Sequence, residues 1–180
     1  MSSSGPVEVQ RGDSRLVGQL DSGALQGLAR VSEQGRPQAA MSYHQGALQG
    51  PMVLYHPDGK PSAKLTFKQD RLHGPASFYN PQGHLVREVQ YRLGQLHGPA
   101  SNYFEDGSLA SREHYQNGQL QGRCQRYHAN GCLAETIDYH QGQPLEASRR
   151  YAADGRPLNA QGQPMARWRW WWLSWSQPPE

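Results

Sequence analysis

GQLHGPASNYFEDGSLASREHYQN, residues 94–117, runs without a gap into GQLQGRCQRYHANGCLAETIDYHQ, residues 118–141. The two 24-residue stretches share a G-x-L-x-G step, an aromatic, a D/N-G dipeptide and a second aromatic, each in the same place. Read outward, the pattern covers most of the chain. Tyr43, Tyr55, Phe67, Tyr79, Tyr91, Tyr103, Tyr115, Tyr127, Tyr139 and Tyr151 stand 12 residues apart and use all nine tyrosines. Glycines step by 24: Gly35, Gly59, Gly83, Gly107, Gly131 and Gly155 in one column, Gly50, Gly74, Gly98 and Gly122 in another. A third column reads Gly46, Asp70, Gly94, Gly118 and Gly142, with one aspartate among the glycines. A fixed period of this length decides the architecture before local propensity does.

Each unit reads as a β-hairpin. Asp58-Gly59, Asp106-Gly107, Asn130-Gly131 and Asp154-Gly155 are dipeptides that supply the positive φ angles of tight hairpin turns. Between turns polarity alternates with period 2, and the 3- and 4-residue apolar spacing of a helix is missing. The expected fold is all-β: an elongated, twisted antiparallel meander of about six tandem 24-residue hairpins, each contacting only its neighbours. The aromatics are expected to form two rows on one face. The opposite face would then carry Lys64, Thr66, Lys68, Arg112 and His114, with Met52, Leu54, Ala76, Phe78, Ala100 and Phe104.

Residues 1–11 read as a disordered lead-in, residues 12–160 as the repeat domain, and residues 161–180 as a tail. The array starts imperfectly, because Gly23-Ala24-Leu25-Gln26-Gly27 precedes its copy at Gly46 by 23 residues, and it decays after Gly142. All five tryptophans fall within residues 168–175, flanked by Arg167 and Arg169. That tail reads either as a cap over the open sheet edge or as an interfacial anchor at a membrane surface.

Composition narrows the function classes. A net charge of +3, without a clustered basic stripe, does not point to nucleic acid. Cys124 and Cys132 flank one turn in a way that sets Cys132 opposite His128, so two free thiols are expected. The start lacks a basic and apolar leader, which suggests a cytoplasmic protein, or a periplasmic one if a leader preceded Met1. Eight histidines invite a metal, but equivalent residues in successive hairpins lie about 10 Å apart, too far for shared ligation. No catalytic motif or paired carboxylates stand out. No catalytic residue, cofactor or metal is therefore assigned.

The G-x-L-x-G step, the aromatic and the D/N-G turn resemble the MORN-repeat variant family over residues 12–160. The resemblance implies a scaffold for binding. Its bacterial members are described as antitoxin-like, which implies a non-catalytic, immunity-type protein whose partner is another protein, a toxin in the most specific version. The alternative is a membrane-surface adaptor anchored by the tail. The first candidate contacts are Phe78, Phe104 and Arg126, with Arg167, Trp168, Arg169, Trp170, Trp171, Trp172 and Trp175 in the tail.

Overall fold

The computed structural model describes residues 3–176, with side chains up to Trp171. The chain divides into two compact units, Met1–Gly98 and Pro99–Glu180. Both are antiparallel β. In the first unit the strands are β1 (Gly5–Arg11), β2 (Ser14–Asp21), β3 (Ala24–Leu25), β4 (Gly27–Glu33), β5 (Arg36–His44), β6 (Ala47–Tyr55), β7 (Pro61–Lys68), β8 (Arg71–Leu72), β9 (Gly74–Tyr79) and β10 (Leu85–Arg92). Strand β11 (Gln95–Tyr103) spans the division. The second unit continues with β12 (Leu109–Gln116), β13 (Gln119–Leu120), β14 (Gly122–Tyr127), β15 (Leu133–His140), β16 (Gln143–Pro144), β17 (Arg149–Arg150) and the helix α1 (Arg167–Ser176).

From Gly5 to Arg11 the expected disordered lead-in forms a strand instead. β1 pairs with β2 from Gly5↔Leu20 to Arg11↔Ser14. Val7 and Val9 alternate with polar residues, and Arg15 donates from Nε and Nη2 to the two Glu8 carboxylate oxygens, at 2.8 Å each. The hydrogen bond from that guanidinium holds the Glu8 carboxyl below its ordinary pKa.

Two unlike turns alternate. At Gln45-Gly46, Leu93-Gly94, Asn117-Gly118 and Gln141-Gly142 both central residues have positive φ, the type I′ geometry that matches strand twist. Gln69-Asp70 adopts the same geometry, with Asp70 at φ 61°. The D/N-G dipeptides do something else. There the glycine alone is left-handed, and the loop has three residues, closed by pairs such as His56–Lys60 and Phe104–Ser108. The acid matters through its side chain, not its φ. Asp58 Oδ1 accepts from the Lys60 N–H at 3.0 Å, Asp106 Oδ1 from Ser108 at 2.8 Å, and Asn130 Oδ1 from Cys132 at 3.0 Å. Such Asx turns organise the loop locally.

The second glycine of each G-x-L-x-G step sits in a bulge. Its φ lies near +100° at Gly50, Gly74 and Gly98. Bulges are where a strand tolerates proline, and Pro51, Pro75 and Pro99 follow directly. The bulge also decides which way the aromatics point. Tyr91 pairs with Gly74, and Tyr79 lies an odd number of residues beyond that glycine, so it faces the other side. The aromatics therefore do not share one face. Tyr43, Phe67 and Tyr91 in the first unit, and Tyr139 in the second, lie each across from a glycine, covering backbone that has no side chain of its own. Tyr55 and Tyr79 point oppositely, and Lys64 Nζ lies 5.3 Å from the Tyr79 ring centre, within cation–π range.

Met52, Leu54, Ala76 and Phe78 consequently belong with Phe67 and Tyr91. Met52 pairs with Leu65, Leu54 with Ala63, and Ala76 with Val89. This face holds the buried core of the unit: Ala29 and Ala76 are each 1% exposed, and Ala39, Ala63 and Val89 are also buried. A single sheet buries alanines by setting large neighbours beside them. Ala29 lies across from Met41, and Ala63 lies between Leu54 and Phe78.

Histidines and glutamines tie successive hairpins together. His56 Nε2 and the Tyr79 carbonyl are 2.9 Å apart, as are His128 Nε2 and the Tyr151 carbonyl. Gln26 and Gln121 accept through Oε1 from the backbone N–H of Gln45 and Gln141, and each amide nitrogen lies 3.2 Å from the Nδ1 of His44 or His140. On the same rim the backbones join directly: Gly46 N–H donates to Leu25 O, Gly94 to Leu72 O and Gly142 to Leu120 O, at 2.8–2.9 Å. Both cysteines are free, because Cys124 pairs with Ile137 while Cys132 closes the loop opposite His128.

Candidate interaction surface

The alanine-bearing face carries one transverse row in each unit, and the two rows differ in chemistry. In the first unit the register links Val31, Ala39, Leu54, Ala63, Phe78 and Arg87 across consecutive strands. All but the last are apolar. In the second unit the register links Ser111, Arg126, Glu135 and Arg150, and Asn102 Nδ2 donates to Ser111 Oγ at 2.7 Å. These are the same repeat slots. Leu54, Phe78, Asn102, Arg126 and Arg150 stand 24 residues apart, as do Ala63, Arg87, Ser111 and Glu135.

The polar row is internally bonded. Arg126 Nη1 donates to Glu135 Oε2 at 3.1 Å, with the glutamate side chain 19% exposed and the arginine open to solvent. Glu113, on the same face, accepts from the Tyr115 hydroxyl at 2.9 Å and from Ser111 Oγ at 3.5 Å. Burial pushes the Cys124 thiol above its ordinary pKa, which keeps it protonated near neutrality and a poor nucleophile. Cys124, Glu113, Arg126 and Ile137 line a cavity of about 40 Å³, room for a few waters only. Beyond Glu135 the face opens into a groove of about 650 Å³, walled by Glu135, Ser148, Arg150, Tyr151 and Leu158. That volume admits side chains of a partner. The Arg150 carbonyl accepts from the Leu158 N–H at 2.8 Å, while its guanidinium makes no hydrogen bond or ion pair among the described residues. Among the described residues no three His, Cys, Asp or Glu side chains converge as metal ligands would.

The candidate contacts scatter. Phe78 and Arg126 fall in the same repeat slot of different units, Phe78 half-buried beside Ala63 and Arg87 in the first. Phe104 is not on a strand face at all, since its N–H bonds to Ser108 O and closes a three-residue loop. Arg167, Trp168, Arg169, Trp170 and Trp171 lie on α1. Trp168 is 74%, Trp171 61% and Trp170 37% exposed. Trp172 and Trp175 also fall on α1, but their side chains lie outside the described residues. Asn102, Ser111, Glu113, Glu135 and Arg150 were not among the candidates. Reading down the 24-residue columns, instead of along each strand, exposes the change from Leu and Phe to Asn and Arg.

These features define a tandem β-hairpin repeat protein with one face turned from packing to polar contact. Residues 48–69, 72–92 and 96–117 match the family described as MORN repeat variant. Three repeats within residues 48–117 are thus similar to MORN-variant repeats, a family of non-catalytic modules that generally bind proteins or membranes. A search of curated proteins finds no match. Two solved structures were compared. A mutant of S. aureus TarM, in complex with fondaparinux, alpha-GlcNAc-glycerol and UDP, is similar at 11% identity and a TM-score of 0.31, over 78% of this chain and 21% of that one. A further TarM structure gives 12%, 0.31, 79% and 21%. The chain spans about a fifth of the length of those chains, and likeness at that level says nothing of this chain's chemistry. Among the described residues no helix is long and apolar enough to cross a membrane.

Proposed function

We propose that this chain is a non-catalytic protein-binding module that engages its partner through the polar row of the second unit. The supporting observation is the contrast between equivalent slots: where the first unit packs Leu54, Ala63 and Phe78, the second sets out Arg126, Glu135 and Arg150. Polar groups on a face otherwise used for packing cost stability, and a scaffold keeps them for contact. An open arginine beside a tyrosine-walled groove has the chemistry of an interface anchor. In the most specific version the partner is a toxin, and covering its active surface neutralises it as an antitoxin or immunity protein does.

The test is affinity capture from the native host with the wild type and with Arg126→Ala/Arg150→Ala. One stoichiometric partner recovered by the wild type and lost by the variant, at unchanged melting temperature, is the expected result. Equal recovery by both moves recognition off this row. The toxin version further expects the captured protein to inhibit growth when expressed alone and not when co-expressed with this chain.

A further inference from the structure

The helix α1 (Arg167–Ser176) takes no part in the sheet, and the protein-binding reading leaves it unused. At 100° per residue, positions 168, 171, 172 and 175 fall within about 100° of arc, the i, i+3, i+4, i+7 pattern of one helix face. All four are tryptophan. Arg167 borders the stripe on one side and Arg169 on the other, and the helix contains no acidic residue. Trp170 lies about 150° away from the stripe's centre. It is the least exposed of the three described tryptophans, at 37%. The start of the helix is tied down: Arg156 Nη1 donates to Met165 O at 2.9 Å and Arg156 Nε to Asp154 Oδ2 at 2.8 Å.

We propose that this stripe is a docking surface for an anionic lipid bilayer, on which the helix lies flat. Ten residues make about 15 Å of helix, half the thickness of a bilayer's hydrocarbon core, so the helix lies on the surface and does not span it. The chemistry selects lipid over a protein groove. A helix seated in a protein groove is read through aliphatic and aromatic anchors set among satisfied polar contacts, whereas this stripe is indole alone with a cation on each border. Indoles carry an apolar ring and one N–H donor, the combination that favours the headgroup layer. Two arginines at the borders match anionic headgroups. They also sit in the first two turns, where the helix dipole is positive and cations are disfavoured. Anionic headgroups next to that end relieve the conflict, so docking strengthens the helix itself.

All five tryptophans lie in this segment, so intrinsic emission is a private probe of it. The full chain is mixed with phosphatidylcholine vesicles and with vesicles containing phosphatidylglycerol, and co-sedimentation is read with Trp emission. Binding and a blue shift on the anionic vesicles are expected. At about 1 kcal/mol per basic residue near the surface, Arg167→Gln/Arg169→Gln weakens partitioning roughly 30-fold. Replacing the four stripe tryptophans by serine abolishes it, while Trp170→Phe does not. Circular dichroism melting of the sheet shows whether the variants stay folded. No wild-type binding to anionic vesicles, or equal binding by the four-serine variant, overturns the proposal. A stripe variant that loses a protein partner, with a wild type that ignores vesicles, assigns the stripe to a protein and also overturns it. Arg126→Ala/Arg150→Ala should leave vesicle binding unchanged, which separates this proposal from the sheet-face reading.

Discussion

Leu93→Asn should stabilise the first unit. Leu93 occupies the first central position of a type I′ turn at φ 53°, a conformation that costs an L-residue roughly 1–2 kcal/mol unless it is Gly, Asn or Asp. Asn117 already fills the equivalent slot one repeat on, at φ 51°. The leucine gains little in return. It is 59% exposed, and a realistic unfolded chain itself buries part of every side chain, so its loss on substitution is small. The expected gain is about 1 kcal/mol, or about 4–8 °C in melting temperature for a unit of this size. The assay is urea unfolding followed by peptide-resolved hydrogen exchange, with the midpoint raised and the m-value unchanged. Leu93→Ala is the control, because alanine removes the exposed side chain but keeps the backbone penalty. A gain with asparagine and none with alanine supports the argument. No gain with asparagine, or an equal gain with both, refutes it, since the left-handed backbone would then not be the source.

Other outcomes follow from the same geometry. Ala63→Leu forces extra volume between Leu54 and Phe78, at a cost of about 1–3 kcal/mol, measurable by denaturation. Tyr115→Phe removes the hydroxyl donor to Glu113 and should cost about 1 kcal/mol. The Asp106 carboxyl is held below its ordinary pKa by the Ser108 side chain and then by the Ser108 backbone, and Asp58 by the Lys60 backbone first. A depressed folded-state pKa means stability that is present above the unfolded value, about 3.9, and lost as pH falls through the folded value. Carboxyl titration by NMR should find both groups low, and Asp106→Asn should keep the turn, as Asn130 does, while removing that loop's acid sensitivity.

The hairpin period, the G-x-L-x-G step and the separation of the two cysteines were legible because they depend on spacing alone. The face of each aromatic was not. Counting by twos from Phe67 to Tyr79 assumes an unbroken pleat, and the bulge at Gly74 inserts a residue that reverses the parity. The same reversal hid the polar row: Arg126 was legible as a candidate contact, but its place between Ser111 and Glu135 comes only from the register. The D/N-G dipeptides suggested tight turns with positive φ angles because dipeptide and turn type correlate, but the Asx hydrogen bond holds a three-residue loop in which the glycine alone is left-handed. At the N-terminus the low hydrophobicity of residues 5–11 outweighed their alternation, although pairing with β2 needs only Val7, Val9 and the Glu8–Arg15 pair.

The two rims of the array are fastened differently, and this sets how the gene can change length. On the rim carrying Gly46, Asp70 and Gly94, each turn bonds to the preceding repeat through main-chain atoms, so almost any sequence satisfies the link. On the other rim the link depends on a side chain, as with His56 and His128, and Asn80 stands in that slot instead. A duplication of 24 residues returns both kinds of turn to their own rim and adds a link that already fits. A duplication of 12 would set a three-residue loop where a main-chain clasp belongs. The array can therefore be expected to grow and shrink in whole hairpins, with sequence drifting fastest along the rim that main-chain bonds hold.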